Sequence, residues 1–148
     1  MQLIIHTDGG ARGNPGPAAV GVVIERVEHG GDPSTSSAQA TEVARFGKKI
    51  GETTNNVAEY TAVIEALRWI KTNEKNESSI HFYLDSMLVV NQLNGLFKVK
   101  SGHLRELLSQ VRLLEQEVGG SIVYTSIPRE QNHRADALVN RALDGIYP

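Results

Sequence analysis

The segment Leu3-Ile4-Ile5-His6-Thr7-Asp8-Gly9-Gly10-Ala11-Arg12-Gly13-Asn14-Pro15-Gly16 joins a short apolar run to a carboxylate and then to a glycine-rich stretch. The unbroken Leu3, Ile4 and Ile5 mark a buried strand, and Gly9-Gly10 ends the apolar pattern. Asp8 is therefore expected at the exit of a core strand, with a tight turn directly after it. Glycines at 9, 10, 13 and 16 let the backbone turn sharply and let a ligand come close. A carboxylate on a rigid strand beside an open glycine loop suits a hard cation and a phosphate-bearing substrate. Over this stretch alone, a capped strand followed by an ordinary loop reads the same way.

Working outward, residues 2–8 form the first strand, and the β-branched, apolar run 18–28 reads as a second strand. Their short glycine-proline connection makes the pair an antiparallel hairpin. Residues 29–40 carry glycine, serine and proline without a core signal, and are expected as a mobile loop. Residues 41–50 read as a third strand whose alternation is weakened by Gly47. The period then changes. Thr53 to Asn56 is a cluster of capping residues, and Val57, Tyr60, Val63, Ile64, Leu67 and Ile70 recur at helical spacing to about Asn73. After a turn at 77–79, Ile80–Leu84 is a strand ending at Asp85, and Ser86 caps a helix from Met87 to about Asn94. A loop at 95–102 holds Lys98 and Lys100. Leu104, Leu107, Leu108, Val111, Leu114 and Val118 mark an amphipathic helix from about His103, stopped by Gly119-Gly120. A strand at 121–127, a turn at 128–131 and a helix from Asn132 to about Leu143 complete the chain. Hairpin strands followed by alternating helices and strands give an α/β fold. Its mixed sheet has an antiparallel edge, parallel later strands and helices on its faces, in one domain over 1–148.

Composition narrows the function classes. With 15 basic and 17 acidic residues the net charge is −2, so nucleic-acid binding would need a local basic patch. The absence of cysteine excludes disulfides, thiolate zinc sites and a cysteine nucleophile. Neither a signal peptide nor a membrane-length apolar run is visible, which makes a cytoplasmic protein without membrane contact the expectation. No apolar stripe exceeds core needs, so a monomer is expected.

Four acids fall at element ends: Asp8 after a strand, Glu59 in the first turns of a helix, Asp85 closing a strand, and Asp136 early in the last helix. Carboxylates on different rigid elements can converge, and four oxygen ligands suit Mg²⁺ or Mn²⁺. Four anions in close array repel without a cation, so convergence would imply bound metal. Two metal ions held this way clamp the attacking and leaving oxygens of a phosphodiester displacement. Each acid alone has a plainer reading, as a helix N-terminal charge, a strand-to-helix turn or a solvated residue.

Taken together and in order, the blocks Thr7–Gly16, Thr54–Tyr60, Leu84–Ser86 and Pro128–Asp136 resemble the motifs of the type 1 ribonuclease H family, over essentially the whole chain. The resemblance implies a ribonuclease H-like fold, a five-stranded mixed sheet of order 3-2-1-4-5 with helices on both faces. It implies a hydrolase that cleaves the RNA strand of RNA–DNA hybrids with two Mg²⁺ ions, leaving 3′-hydroxyl and 5′-phosphate ends. By motif match, Asp8, Glu59, Asp85 and Asp136 are the metal-binding catalytic carboxylates. RNA is told from DNA by its 2′-hydroxyl, which needs small donors and acceptors. Asn14, Asn55, Asn56 and the backbone of Gly9, Gly10 and Gly13 are of that type and resemble positions that contact the RNA strand. Thr54 resembles a DNA-phosphate position, although helix capping is an alternative use. Asn132 is expected at the substrate, and Arg12, Lys98, Lys100, Arg129 and Arg134 are candidates for phosphate contact.

Three departures stand out. The loop before the last helix carries Arg129 where well-studied cellular members have a histidine, which resembles an arginine-loop subgroup. Arg129 stays protonated and so would position or release a phosphate rather than take a proton. Met87 stands where many relatives place a polar residue, and it can pack but not read a hydroxyl. The lysine- and tryptophan-rich basic protrusion of some members is missing. A two-domain phosphotransferase of the actin and sugar-kinase type needs a second acid-glycine loop, which 148 residues do not supply. Two alternatives stay open: the same chemistry also on double-stranded RNA, and a catalytically silent module that only binds nucleic acid.

Overall fold

The apolar strand that begins the chain is the centre of a five-stranded sheet of order β3-β2-β1-β4-β5. The computed structural model describes residues 2–27, 40–73 and 79–146. In it β1 (Gln2–Ala11), β2 (Gly16–Val27) and β3 (Ala40–Thr53) form an antiparallel meander. Helix α1 (Asn55–Asn73) then crosses to β4 (Ser79–Leu84), and α2 (Met87–Leu93) and α3 (Gly102–Val118) lead to β5 (Ser121–Ser126). A 3₁₀ turn, Arg129–Gln131, precedes α4 (His133–Leu143). β4 runs parallel to both β1 and β5, as helical crossovers require. The order and the mixed directions expected from the resemblance are those observed.

Period-two alternation in β1 and β2 sends Leu3, Ile5, Val22 and Ile24 into one core with α1, α2 and α3. Ala19 meets Val139 and Ala142 of α4 on the opposite face. The first core is the larger, and Tyr60, Phe82, Leu67 and Ile70 are fully buried in it. Each such side chain contributes on the order of 2 kcal/mol. The amphipathic reading of α3 is met by buried Val111, Leu114 and Val118, and Trp69 of α1 packs half-buried against the same core.

One expectation is corrected. β1 does not end at Asp8 but runs through Gly9 and Gly10 to Ala11, because β2 stays alongside, with Gly9↔Val20, Gly10↔Ala19 and Ala11↔Ala18 in register. Asp8 thus lies within a paired strand, and the chain bends only at 12–15. Gly9 serves close packing: a Cβ there would collide with the backbone of Ala58 in α1. Gly47, read as a weakness in β3, lies opposite Gly21 in β2. At Gly47 a Cβ would stand 2.6 Å from the Leu138 carbonyl oxygen, and one at Gly21 would collide with that of Ala135. The pair forms the smooth floor on which α4 sits. β3 continues beyond residue 50 past a bulge opposite Ala18 and Ala19, where Gly51 takes a φ of 87°. The expected mobile loop falls almost wholly, and the turn at 77–79 mostly, outside the described residues. Residues 95–101, between α2 and α3, contain no helix, consistent with the missing protrusion. Among the described residues, no helix is long and apolar enough to cross a membrane.

Candidate active site

The β1–β4 ladder ends at His6↔Tyr83, and the two parallel strands part beyond it. Asp8 follows this fork on β1, and Asp85 follows the last residue of β4. Ligands of open α/β sheets favour such crevices at the carboxyl ends of strands. Glu59 arrives from α1, in the stretch that the absent Gly9 side chain lets press against β1. The Gly9 N–H donates to Glu59 Oε1 at 2.5 Å and fixes that carboxylate. Oxygens of Asp8, Glu59 and Asp85 lie within 4.8 Å of one another. Asp136, in the first turn of α4, borders the same cleft but lies outside this tight group. Its side chain is 30% exposed and accepts from Arg129 Nη2 at 3.4 Å and from Asn140 Nδ2 at 3.5 Å. The cleft encloses about 420 Å³.

The electrostatics follow from this crowding. Burial pushes the Asp8 carboxyl up to about 7, and the charges of Asp85 and Asp136 push the same way, while a hydrogen bond with Glu59 opposes them. Glu59 is held well above the usual carboxylate range by burial and then by the charge of Asp8, although the Gly9 N–H works against this. Glu59 Oε2 is buried with no partner among the described residues. An all-oxygen donor set, an orphaned carboxylate oxygen and acids that resist ionising together describe a site suited to a divalent cation.

The other expected residues divide into groups. Gly9, Gly10, Arg12, Asn55, Asn56 and Arg129 line the cleft with the acids. Gly13 and Asn14 lie in the exposed turn after β1, with Gly13 at a φ of 102°. Asn14 Oδ1 accepts from the Asn55 N–H at 3.0 Å, and Asn55 Oδ1 accepts from the Ala11 N–H at 2.9 Å. These bonds fasten the turn to the start of α1. Thr54 caps that helix through its Oγ1, which accepts from the Val57 N–H at 3.3 Å. Arg12 is held at the rim by Asp144 at 2.6 Å. Arg134 is paired with Glu25 of β2 at 2.8 Å. Lys98 and Lys100 flank a separate groove with Leu88, Leu96 and Phe97, beside α2. Asn132 is not at the surface: it is 1% exposed and turned inward. Arg129 is 78% exposed and meets Asp136 at the edge of the cleft at 3.4 Å.

The family model described as reverse transcriptase-like matches residues 6–142. LC11-RNase H1, solved in complex with an RNA/DNA hybrid, superposes with a TM-score of 0.83 at 41% identity, over 97% of each chain. The chain belongs to the type 1 ribonuclease H family. Ribonuclease HI of Halobacterium salinarum is 41% identical over 94% of this chain and 63% of its own length. A bifunctional protein of Mycobacterium tuberculosis is 38% identical over 97% of this chain, which spans only 36% of that relative.

Within this ribonuclease H frame, the sequence reading passed over Asn140 of α4 and Asp144, which caps the C-terminus of that helix. Asn140 Nδ2 donates to the Asp136 carbonyl at 3.1 Å, and its Oδ1 accepts from Arg12 Nη2 at 3.4 Å. The signal was available: four-residue steps from Asp136 put all three on one helix face.

Proposed function

We propose that this chain is a ribonuclease H domain over 1–148 that hydrolyses the RNA strand of RNA–DNA hybrids, leaving 5′-phosphate and 3′-hydroxyl ends. The observation that carries the reading is the meeting of Asp8, Glu59 and Asp85 from three separate elements within 4.8 Å. The hybrid bound by LC11-RNase H1 supports the choice of substrate. Asp8, Glu59, Asp85 and Asp136 would hold two Mg²⁺ ions with substrate present, and Mn²⁺ fits the same oxygen set. When bound, the cations supply neutralisation of the anionic site, a reactive water and stabilisation of the departing 3′ oxygen.

The chain's own groups have separate tasks. The Gly9 N–H holds Glu59 in place, and burial withdraws the Asp8 and Glu59 carboxylates from bulk water. Asp136, at the rim and within reach of Asp8, would complete the cation-holding set, and its contact with Arg129 keeps that guanidinium beside the cleft. Arg129, always charged, then binds the phosphate and assists its release. Asn55, Asn56 and the Gly9–Gly10 backbone face the cleft where the RNA minor groove would lie, and supply the neutral donors and acceptors that read 2′-hydroxyls. Asn14 and Gly13 shape the turn beside them, and Thr54 and Arg12 take flanking phosphates. The setting this reading assumes is a monomer in the cytoplasm.

The test is cleavage of end-labelled RNA–DNA, RNA–RNA and DNA–DNA duplexes of one sequence, each with Mg²⁺, Mn²⁺ or chelator. Metal-dependent cutting of the RNA strand in the hybrid alone is expected. Cutting of RNA–RNA as well would widen the substrate class. Binding of the hybrid with no cutting under either metal would sink the catalytic reading and leave a silent binding module.

A further inference from the structure

Asn132 stands between the 3₁₀ turn and α4, where an asparagine ordinarily caps the helix with its side chain. Here only the backbone joins in: its N–H donates to the Arg129 carbonyl at 2.9 Å, and its carbonyl accepts from the Asp136 N–H at 3.1 Å. The side chain makes no cap bond. It turns inward and is 1% exposed. Its Nδ2 donates to the Thr7 carbonyl at 2.9 Å and reaches Asp85 Oδ2 at 3.4 Å. Thr7 is the first β1 residue beyond the last β1–β4 pair, so the amide occupies the fork between the strands.

We propose that Asn132 is a positioning residue: its buried carboxamide bridges the Thr7 carbonyl and the Asp85 carboxylate across the β1–β4 fork and orients Asp85 for cation binding. This rests on the metal-site reading above. One amide hydrogen is fixed by backbone, and the other is thereby aimed at the carboxylate. The residue type follows from the task. A carboxamide donates twice without charge, whereas an aspartate there would lack donors and add an anion, and a lysine or arginine would compete with the cation. Groups that orient a metal ligand from behind commonly change metal affinity or activity by 10- to 100-fold when removed. On this reading Asn132, expected from the sequence at the substrate, acts from behind the carboxylates instead.

The test compares the parent, Asn132→Ala, Asp85→Asn and the double variant. The first readout is the thermal shift produced by Mg²⁺ or Mn²⁺ alone, and the second is kcat and KM on the hybrid across a Mg²⁺ titration. Asn132→Ala is expected to need about tenfold more cation for the same thermal shift and for half-maximal kcat. KM for the hybrid should stay within about twofold. In the Asp85→Asn background the same change should add little further loss of the residual Mn²⁺ shift. A raised KM with unchanged cation dependence would make Asn132 a substrate contact, and additive losses would make it a general structural residue; either overturns the proposal. If Asn132→Ala does not fold, the ¹⁵N-labelled parent decides: the Asn132 side-chain amide resonances must shift as Mg²⁺ is added, and resonances unmoved at saturation refute the role. A parent that neither gains stability from cation nor cleaves would refute the metal-site reading itself, and Asn132's role with it.

Discussion

Replacing Asp8 with Asn should stabilise the metal-free protein while abolishing turnover. In the folded chain burial and neighbouring anions lift the Asp8 carboxyl from 3.8 to about 7. Between those values the native state holds a proton that the unfolded chain has released, so the parent loses stability as pH rises through this window. The stability contribution is fully present below about pH 4 and is gone once the pH has passed the folded value. A shift of about three pH units corresponds to on the order of 4 kcal/mol. Asn keeps the volume, removes the charge and relieves Glu59 as well. For a domain of this size that difference is about 10 °C in Tm. The assay is calorimetric melting of parent and Asp8→Asn in chelator at a series of pH values. Other carboxylates titrate in both proteins, so the difference between the two curves is the quantity to read. The gap should be near zero at pH 4, widen through pH 7 and then level off. Adding Mg²⁺ should close it, because cation binding stabilises only the parent. A gap that is flat with pH, or a variant less stable than the parent at pH 8 without metal, would refute the reasoning.

Arg129→Ala should slow hybrid cleavage less than Asp8→Asn does, because it removes a phosphate contact and leaves the buried carboxylates intact; steady-state rates at saturating Mg²⁺ check this, and an equal loss would contradict it. Gly21→Ala should destabilise the protein by about 2 kcal/mol or more, read from urea midpoints, since its Cβ would strike the Ala135 carbonyl and lift α4 off the sheet. Activity of any folded Gly21→Ala population should also fall, because α4 carries Asp136. Hybrid affinity should drop steeply between low and physiological salt, as expected for phosphate contacts on a chain of net charge −2 without a basic protrusion. A titration that stays flat would contradict that.

Most elements of the fold were legible because their signals are local. Apolar runs, the change from strand to helical spacing after Thr53, and the cap at Ser86 each act within a turn or two. The strand order came with the motif resemblance rather than from spacing. The end of β1 was misjudged for a physical reason: glycines break a lone strand, but here β2 supplies the hydrogen bonds through Ala11. Gly9, read as a turn residue, and Gly47, read as a weakness in a strand, proved together with Gly21 to be contact surfaces, which depends on helices far away in sequence.

The sequence by itself determined the residue types of the site, the strands and helices that carry or adjoin them and the family to which the chain belongs. Tertiary structure decided what those residues are to one another. It drew Asp8, Glu59 and Asp85 into one group and left Asp136 at the rim, tied Arg12 to Asp144, and turned Asn132 inward. The physical reason is range. Strand, helix and cap preferences act over a few residues, whereas the charge, burial and orientation of a side chain are set by partners that only packing brings near. Asn132 and Thr7, 125 residues apart, are such a pair.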